Sequence, residues 1–167
     1  NIILTSVLGN GEVILSNAAM EPEIVDLCNM LNKMGAKIRG AGTNEIKIKG
    51  VKNLKEVSYN IMPDRIEAGT LLVAAAITKA RINLKNVNVE DIVPIVHKLA
   101  ECGCKIETYN KEIILNSPIK LKGVAIKTLP YPGFPTDMQP IFSTLLMSAS
   151  GTSIVQENIF ENRFKYV

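Results

Sequence analysis

The sequence predicts an α/β (α+β) chain of repeated units with sheets outside and helices inside, and three observations lead there. A pattern of short strands and glycine-stopped helices recurs about 70 residues apart. Each copy pairs a helix with one broad apolar face and a second helix that is apolar nearly all round, which places the second in an interior. Of the 167 residues, 47% are hydrophobic and 21% charged, enough to pack one domain or two small ones.

The elements follow in order. Asn1-Ile-Ile-Leu-Thr-Ser-Val-Leu8 before Gly9-Asn-Gly11 reads as the last turns of a helix and its glycine stop. Residues 13–15 form an apolar strand that leads to a helix with Ile24, Val25, Leu27, Cys28 and Leu31 at helical spacing. Pro22 sits in its first turn, where a missing amide donor costs nothing, and Gly35 lies just past its end. Strands over 36–39 and 45–49 make a hairpin around Gly40-Ala-Gly42, which lacks the spacing of a nucleotide loop. Lys47 and Lys49 alternate with Ile46 and Ile48, as on an exposed strand face. A further strand over 59–62 feeds a helix over 66–78.

The second copy repeats this punctuation. A strand over 82–84 precedes a helix with Ile92, Val93, Val96 and Leu99, carrying Pro94 early and Gly103 after its end. A hairpin over 104–109 and 112–115, a strand over 124–127 and a helix over 138–149 complete the unit. Thr152-Ser-Ile-Val-Gln-Glu157 opens a third copy, and Glu161-Asn-Arg-Phe-Lys-Tyr-Val167 ends as abruptly as the chain begins. Both ends read as cut and the fold as incomplete.

Several functions are disfavoured by composition. The formal charge is +3, with 19 basic residues scattered among 16 acidic ones, so no single-sign stripe tracks a nucleic acid. The longest apolar stretch, 71–77, falls far short of the roughly 20 residues of a membrane span. No nucleic-acid or membrane partner and a cytoplasmic location are expected. Cys28, Cys102 and Cys104 lack the paired spacing of a zinc site, so reduced, buried thiols are the default. His97, on an otherwise apolar helix with no catalytic partner nearby, reads as structural.

Asn17-Ala-Ala-Met-Glu-Pro-Glu-Ile-Val-Asp26, Met62-Pro-Asp-Arg-Ile-Glu-Ala-Gly-Thr70, Phe134-Pro-Thr-Asp-Met-Gln139 and Ile159-Phe-Glu-Asn-Arg-Phe164 resemble, in this order, motifs of the enolpyruvyl transferases. They are most similar to the branch that acts on UDP-N-acetylglucosamine, the shikimate-type branch being the alternative. The resemblance implies an inside-out α/β barrel and a crossover near Pro63-Asp64. Residues 1–62 would then close one domain, and residues 63–167 would begin the other. It also implies transfer of enolpyruvate from phosphoenolpyruvate to the sugar 3-hydroxyl with release of phosphate, a committed step of peptidoglycan synthesis. No cofactor and no metal are implied.

That chemistry needs a base at the hydroxyl, an acid at the methylene, and cations around phosphates and a carboxylate. By resemblance Asp137 contacts the sugar hydroxyl and is the proposed base; read from its place alone, it is a helix-terminal carboxylate complementing the dipole. A helix N-terminus makes a carboxylate a weaker base but a good acceptor for orienting a hydroxyl. Arg163 matches an arginine near the phosphoenolpyruvate-derived groups, against a plain surface arginine as the alternative. Ile159 matches a backbone contact to the nucleotide, or packs in the core, or both. Asp64 caps a helix at the crossover with Arg65 and Glu67 beside it, and can also face the cleft as a substrate-binding group. Glu21 and Glu23 flank Pro22 at a helix start, with a structural or interface role as plausible as catalysis. The family's cysteine acid, on a mobile loop, and its phosphoenolpyruvate-binding lysine–asparagine pair lie outside these residues. Without them this stretch alone is expected to be inactive. A non-catalytic module that keeps the fold is the reading from another class. The sequence sets no oligomeric state.

Overall fold

A computed structural model describes residues 1–167, which divide into two compact units, Asn1–Met62 and Pro63–Val167. Each is a mixed α/β unit whose sheet covers helices.

The first unit contains α1 (Ile2–Ser6), β1 (Glu12–Ser16), α2 (Pro22–Lys33), β2 (Lys37–Arg39) and β3 (Glu45–Lys49). Its strands form an antiparallel sheet in the order β1-β3-β2. Period-two alternation sends Ile46 and Ile48 inward while Lys47 and Lys49 stay exposed, as the pattern predicts. Val13 stands opposite Ile48, and Leu15 opposite Ile46. Together with Ile3, Val7, Cys28, Leu31 and Ile38, the inward strand residues form the core under α1 and α2. Gly40 and Gly42, both at φ 82°, turn the hairpin, and a side chain at Gly40 would collide with the Glu45 carbonyl oxygen.

The strand expected over 59–62 does not form. This segment is strapped to α2 instead: the Tyr59 hydroxyl donates to Asp26 Oδ1 at 2.7 Å and the Met62 amide to Asp26 Oδ2 at 3.4 Å. A helix carboxylate thus takes the Met62 amide that a neighbouring strand would otherwise have taken.

The second unit begins with Asp64 capping α3 (Arg65–Ile77), followed by β4 (Arg81–Lys85), a 3₁₀ turn (Val89–Ile92) and α4 (Val93–Glu101). It continues through β5 (Lys105–Tyr109), β6 (Glu112–Asn116), β7 (Ala125–Lys127), α5 (Met138–Met147) and β8 (Ile154–Gln156). β4, β6 and β5 form an antiparallel sheet in that order, and β7 pairs in parallel with β8. The repeat holds down to single dihedrals: Gly35 and Gly103 end their helices at φ 102° and 101°, and Asn17 and Asn86 turn left-handed after β1 and β4 at φ 55° and 59°.

The core of this unit joins Leu72, Ile95, Leu99, Ile113, Leu115, Ile126, Met138, Phe142 and Leu145. A Cβ on Gly69 would sit 2.9 Å from Met138 Sδ and from Ile95 Cδ1, so the missing side chain is what lets α3 and the start of α5 approach closely. The expectation that α3 and α5 are enclosed holds over most of their surface. Each keeps an exposed apolar position, Leu71 at 43% and Met147 at 88%.

Candidate functional site

The Asp137 loop is built from its apolar anchors outward. Phe134 is buried and meets Phe142 of α5 edge-on, with ring centroids 5.4 Å apart. Its carbonyl accepts from the Leu129 amide at 3.1 Å, tying the loop to the end of β7. A side chain at Gly133 would strike Leu129 Cβ, so the bend is available only to glycine. The chain then enters α5 with Asp137 at its N-terminal boundary.

Asp137 makes no capping hydrogen bond with its side chain. Its Oδ1 instead accepts from Arg163 Nη2 at 2.6 Å, a contact spanning 26 residues of chain. The helix-terminal alternative therefore describes its place and not its bonding. The Arg163 guanidinium also lies 5.2 Å from the centre of the Phe160 ring. The side chains of Arg163 and Asp137 are 28% and 57% exposed, a setting in which an ion pair contributes about 0–1 kcal/mol. Such a pair opens readily when a ligand offers either partner something better.

Ile159 and Phe160 belong to the turn that leads to Arg163. Ile159 is 36% exposed and lies outside the buried core of this unit, which corrects the core-packing alternative. Its amide donates to Glu157 Oε1 at 2.8 Å, which leaves its carbonyl as the backbone group able to meet a ligand.

Glu157 is a residue that the motifs did not single out. Burial pulls its carboxyl upward. Donation from the Ile159 amide, the Thr128 hydroxyl, the Phe160 amide and the Thr136 hydroxyl outweighs that pull and holds it below its ordinary value. A sequence signal existed only in part, since Glu157 closes the opening strand of the third repeat while its donors are scattered over about 30 residues.

Asp64 spends its carboxylate on its own helix, with Oδ1 accepting from the Ile66 amide at 2.7 Å and the Glu67 amide at 3.1 Å. The structure brings Asp137, Arg163 and Ile159 together through the 157–160 turn and does not join Asp64 to them by any hydrogen bond. Arg65, beside it, is 7% exposed and lies 5.7 Å from the Tyr131 ring centre.

Cys28, Cys102, Cys104, His97 and Glu21 make no hydrogen bond to the Asp137–Arg163 pair. Cys28, Cys102 and Cys104 are free and buried. Desolvation raises the thiol pKa of Cys102 to about 12 and that of Cys104 to about 11, so neither supplies a thiolate near neutrality. His97 is exposed on α4, so it does not fill the core. Glu21 precedes α2 without capping it. No group of three or more His, Cys, Asp or Glu side chains is placed to hold a metal, and no helix is long and apolar enough to cross a membrane.

Comparison with known proteins places these features in context. A family model described as EPSP synthase (3-phosphoshikimate 1-carboxyvinyltransferase) matches residues 1–167. The chain is 52% identical over 167 residues to a UDP-N-acetylglucosamine 1-carboxyvinyltransferase of Geotalea uraniireducens, covering 100% of this chain and 40% of that protein. It is 54% identical over 166 residues to UDP-N-acetylglucosamine 1-carboxyvinyltransferase 2 of Clostridium tetani, covering 99% of this chain and 40% of the relative. The chain thus spans about two fifths of the length of these curated relatives. Among solved structures, the enolpyruvyl transferase NikO from Streptomyces tendae superposes with a TM-score of 0.82 at 23% identity, over 98% of this chain and 39% of that one. An EPSP synthase from Acinetobacter baumannii gives 0.59 at 22% identity, over 92% and 36%.

Proposed function

The chain belongs to the EPSP synthase (3-phosphoshikimate 1-carboxyvinyltransferase) family along its whole length, and on that premise we propose that it is part of an enzyme transferring enolpyruvate from phosphoenolpyruvate to the 3-hydroxyl of UDP-N-acetylglucosamine, with release of phosphate. Relatives about 50% identical carry the name of that transferase, which supports the nucleotide sugar over a shikimate acceptor. On the same reading residues 1–62 close one domain of the enzyme and residues 63–167 begin the other. The activity serves peptidoglycan synthesis in the cytoplasm.

The observation that carries the proposal is the 2.6 Å contact between Asp137 and Arg163. It supports one compact site that offers an anionic acceptor and a permanent cation side by side. The hydroxyl oxygen of the sugar forms a bond to carbon 2 of phosphoenolpyruvate as carbon 3 gains a proton. Carbon 3 then gives up a proton as phosphate leaves. Asp137 orients the hydroxyl and accepts its proton, while Arg163 holds a carboxylate or phosphate of the phosphoenolpyruvate-derived part as a planar fork. Without substrate the two side chains neutralise each other. An arriving anion competes for Arg163 and frees Asp137 for the hydroxyl.

The test is phosphate release by the full-length protein supplied with phosphoenolpyruvate and UDP-N-acetylglucosamine. Asp137→Ala is expected to lower the rate by about 10²- to 10⁴-fold, the range for losing a proton-transfer group. A wild-type rate in that variant overturns the site. Turnover with shikimate 3-phosphate in place of the nucleotide sugar would assign the other branch. Failure of the full-length protein to bind the nucleotide sugar in calorimetry would favour a non-catalytic module.

A further inference from the structure

We propose that Glu157 is a positioning residue of this site, fixing the Asp137 loop against the Arg163 turn so that one substrate can meet both. The inference rests on the transfer reading above. Glu157 follows β8, and its carboxylate is shared by three separate segments. Oε1 accepts from the Thr128 hydroxyl at 2.9 Å, the Ile159 amide at 2.8 Å and the Phe160 amide at 3.2 Å. The Thr136 hydroxyl faces both carboxylate oxygens, at 3.1 and 3.0 Å. Thr136 immediately precedes Asp137, and Phe160 presents its ring to Arg163. Thr128 is fully buried where β7 ends, and the parallel β7–β8 pairing delivers it to Glu157 through the bond from the Thr128 amide to the Gln156 carbonyl. The Asn158 amide in turn donates to Thr128 Oγ1 at 2.8 Å, which closes a ring of bonds around the carboxylate.

None of these bonds involves Asp137 or Arg163, so Glu157 acts on them only through the backbone it holds. The Asp137–Arg163 contact is exposed, and an exposed pair is too weak to order two loops. The loops are therefore ordered from beneath. An ionised carboxylate carries acceptors and no donor, and bonds to it are roughly twice as strong as neutral ones. Glutamine at 157 would keep the shape but lose the charge, weakening every bond that converges on Oε1, and would put an NH2 group where Oε2 now accepts from the Thr136 hydroxyl.

The experiment uses the full-length protein with Glu157→Gln, Asp137→Asn and both together, read by steady-state kinetics and by native-state hydrogen exchange at the amides of Ile159 and Phe160. Glu157→Gln is expected to lower kcat/KM on the order of 10- to 100-fold, the scale of an ångström-level misplacement. In the Asp137→Asn background the same change should cost clearly less than in wild type, because the part of its effect that passes through Asp137 is already lost. The two turn amides should exchange faster while those of α3 do not. Thr136→Val, which removes one donor and spares the carboxylate, should show the same pattern more weakly. Wild-type kcat/KM in Glu157→Gln, or a loss of equal size in both backgrounds, overturns the proposal. If Asp137→Asn itself proves fully active, the transfer reading fails and exchange decides alone: faster turn amides uphold the role of Glu157 in holding the turn, and unchanged ones overturn it.

Discussion

Replacing Asp64 with alanine should destabilise the protein more than replacing Asp137, although each stands one residue before a helix. Asp64 Oδ1 accepts two amides of the first turn of α3, at 2.7 and 3.1 Å. Losing such a cap costs typically about 1 kcal/mol, and the favourable term with the helix dipole adds about 0.3–1 kcal/mol. The expected loss is therefore about 1–2 kcal/mol. Asp137 stands at the same kind of helix end and shares the dipole term, but it makes no cap bond and its one ion pair is exposed, so Asp137→Ala should cost less than Asp64→Ala by up to about 1 kcal/mol. With a urea slope of about 1–3 kcal/mol/M, the Asp64 variant should unfold at a midpoint lower by about 0.3 to 2 M. The midpoint of the Asp137 variant should fall less. The assay is urea unfolding of both variants at pH 7. A loss for Asp137→Ala equal to or greater than that for Asp64→Ala would refute the assignment of one aspartate to the fold and the other to the site.

Two further outcomes follow from buried or shared ionisable groups. In the native chain Cys28, Cys102 and Cys104 should resist a thiol reagent at pH 8 and all react once unfolded, since burial raises each thiol pKa; a fast native thiol would contradict this packing. Glu157 has a folded pKa below its unfolded value of about 4.5, so it stabilises the fold above that value and loses the contribution as the pH falls through the folded value. Wild type and Glu157→Gln should then differ in melting temperature at pH 7 and converge as acid protonates the carboxylate, and a gap that persists in acid would count against the charged-acceptor account.

Local rules account for most of the fold. Pro22, Pro94, Gly35 and Gly103 mark helix boundaries through the loss of an amide donor or the freedom of positive φ, properties of single residues that hold in any surroundings. Alternation in 45–49 sent Ile46 and Ile48 inward for the same reason. The segment 59–62 has the composition of a strand, yet a strand exists only where a neighbour supplies its ladder. β7 finds β8, whereas Tyr59 and Met62 find Asp26.

The sequence by itself determined the repeat and the family and, through the motifs, singled out Asp137 and Arg163 as candidates. Only the tertiary structure decided that the two touch, that Asp64 is committed to its helix, that Ile159 lies outside the buried core, and that Glu157 gathers Thr128, Thr136 and the 159–160 turn. Helix ends and strand faces arise from interactions a few residues apart, which a sequence displays. A carboxylate's partners are set by whichever donors the folded backbone brings within hydrogen-bonding distance. For Glu157 these come from as far as 29 residues away, across a parallel strand pair that no local pattern encodes.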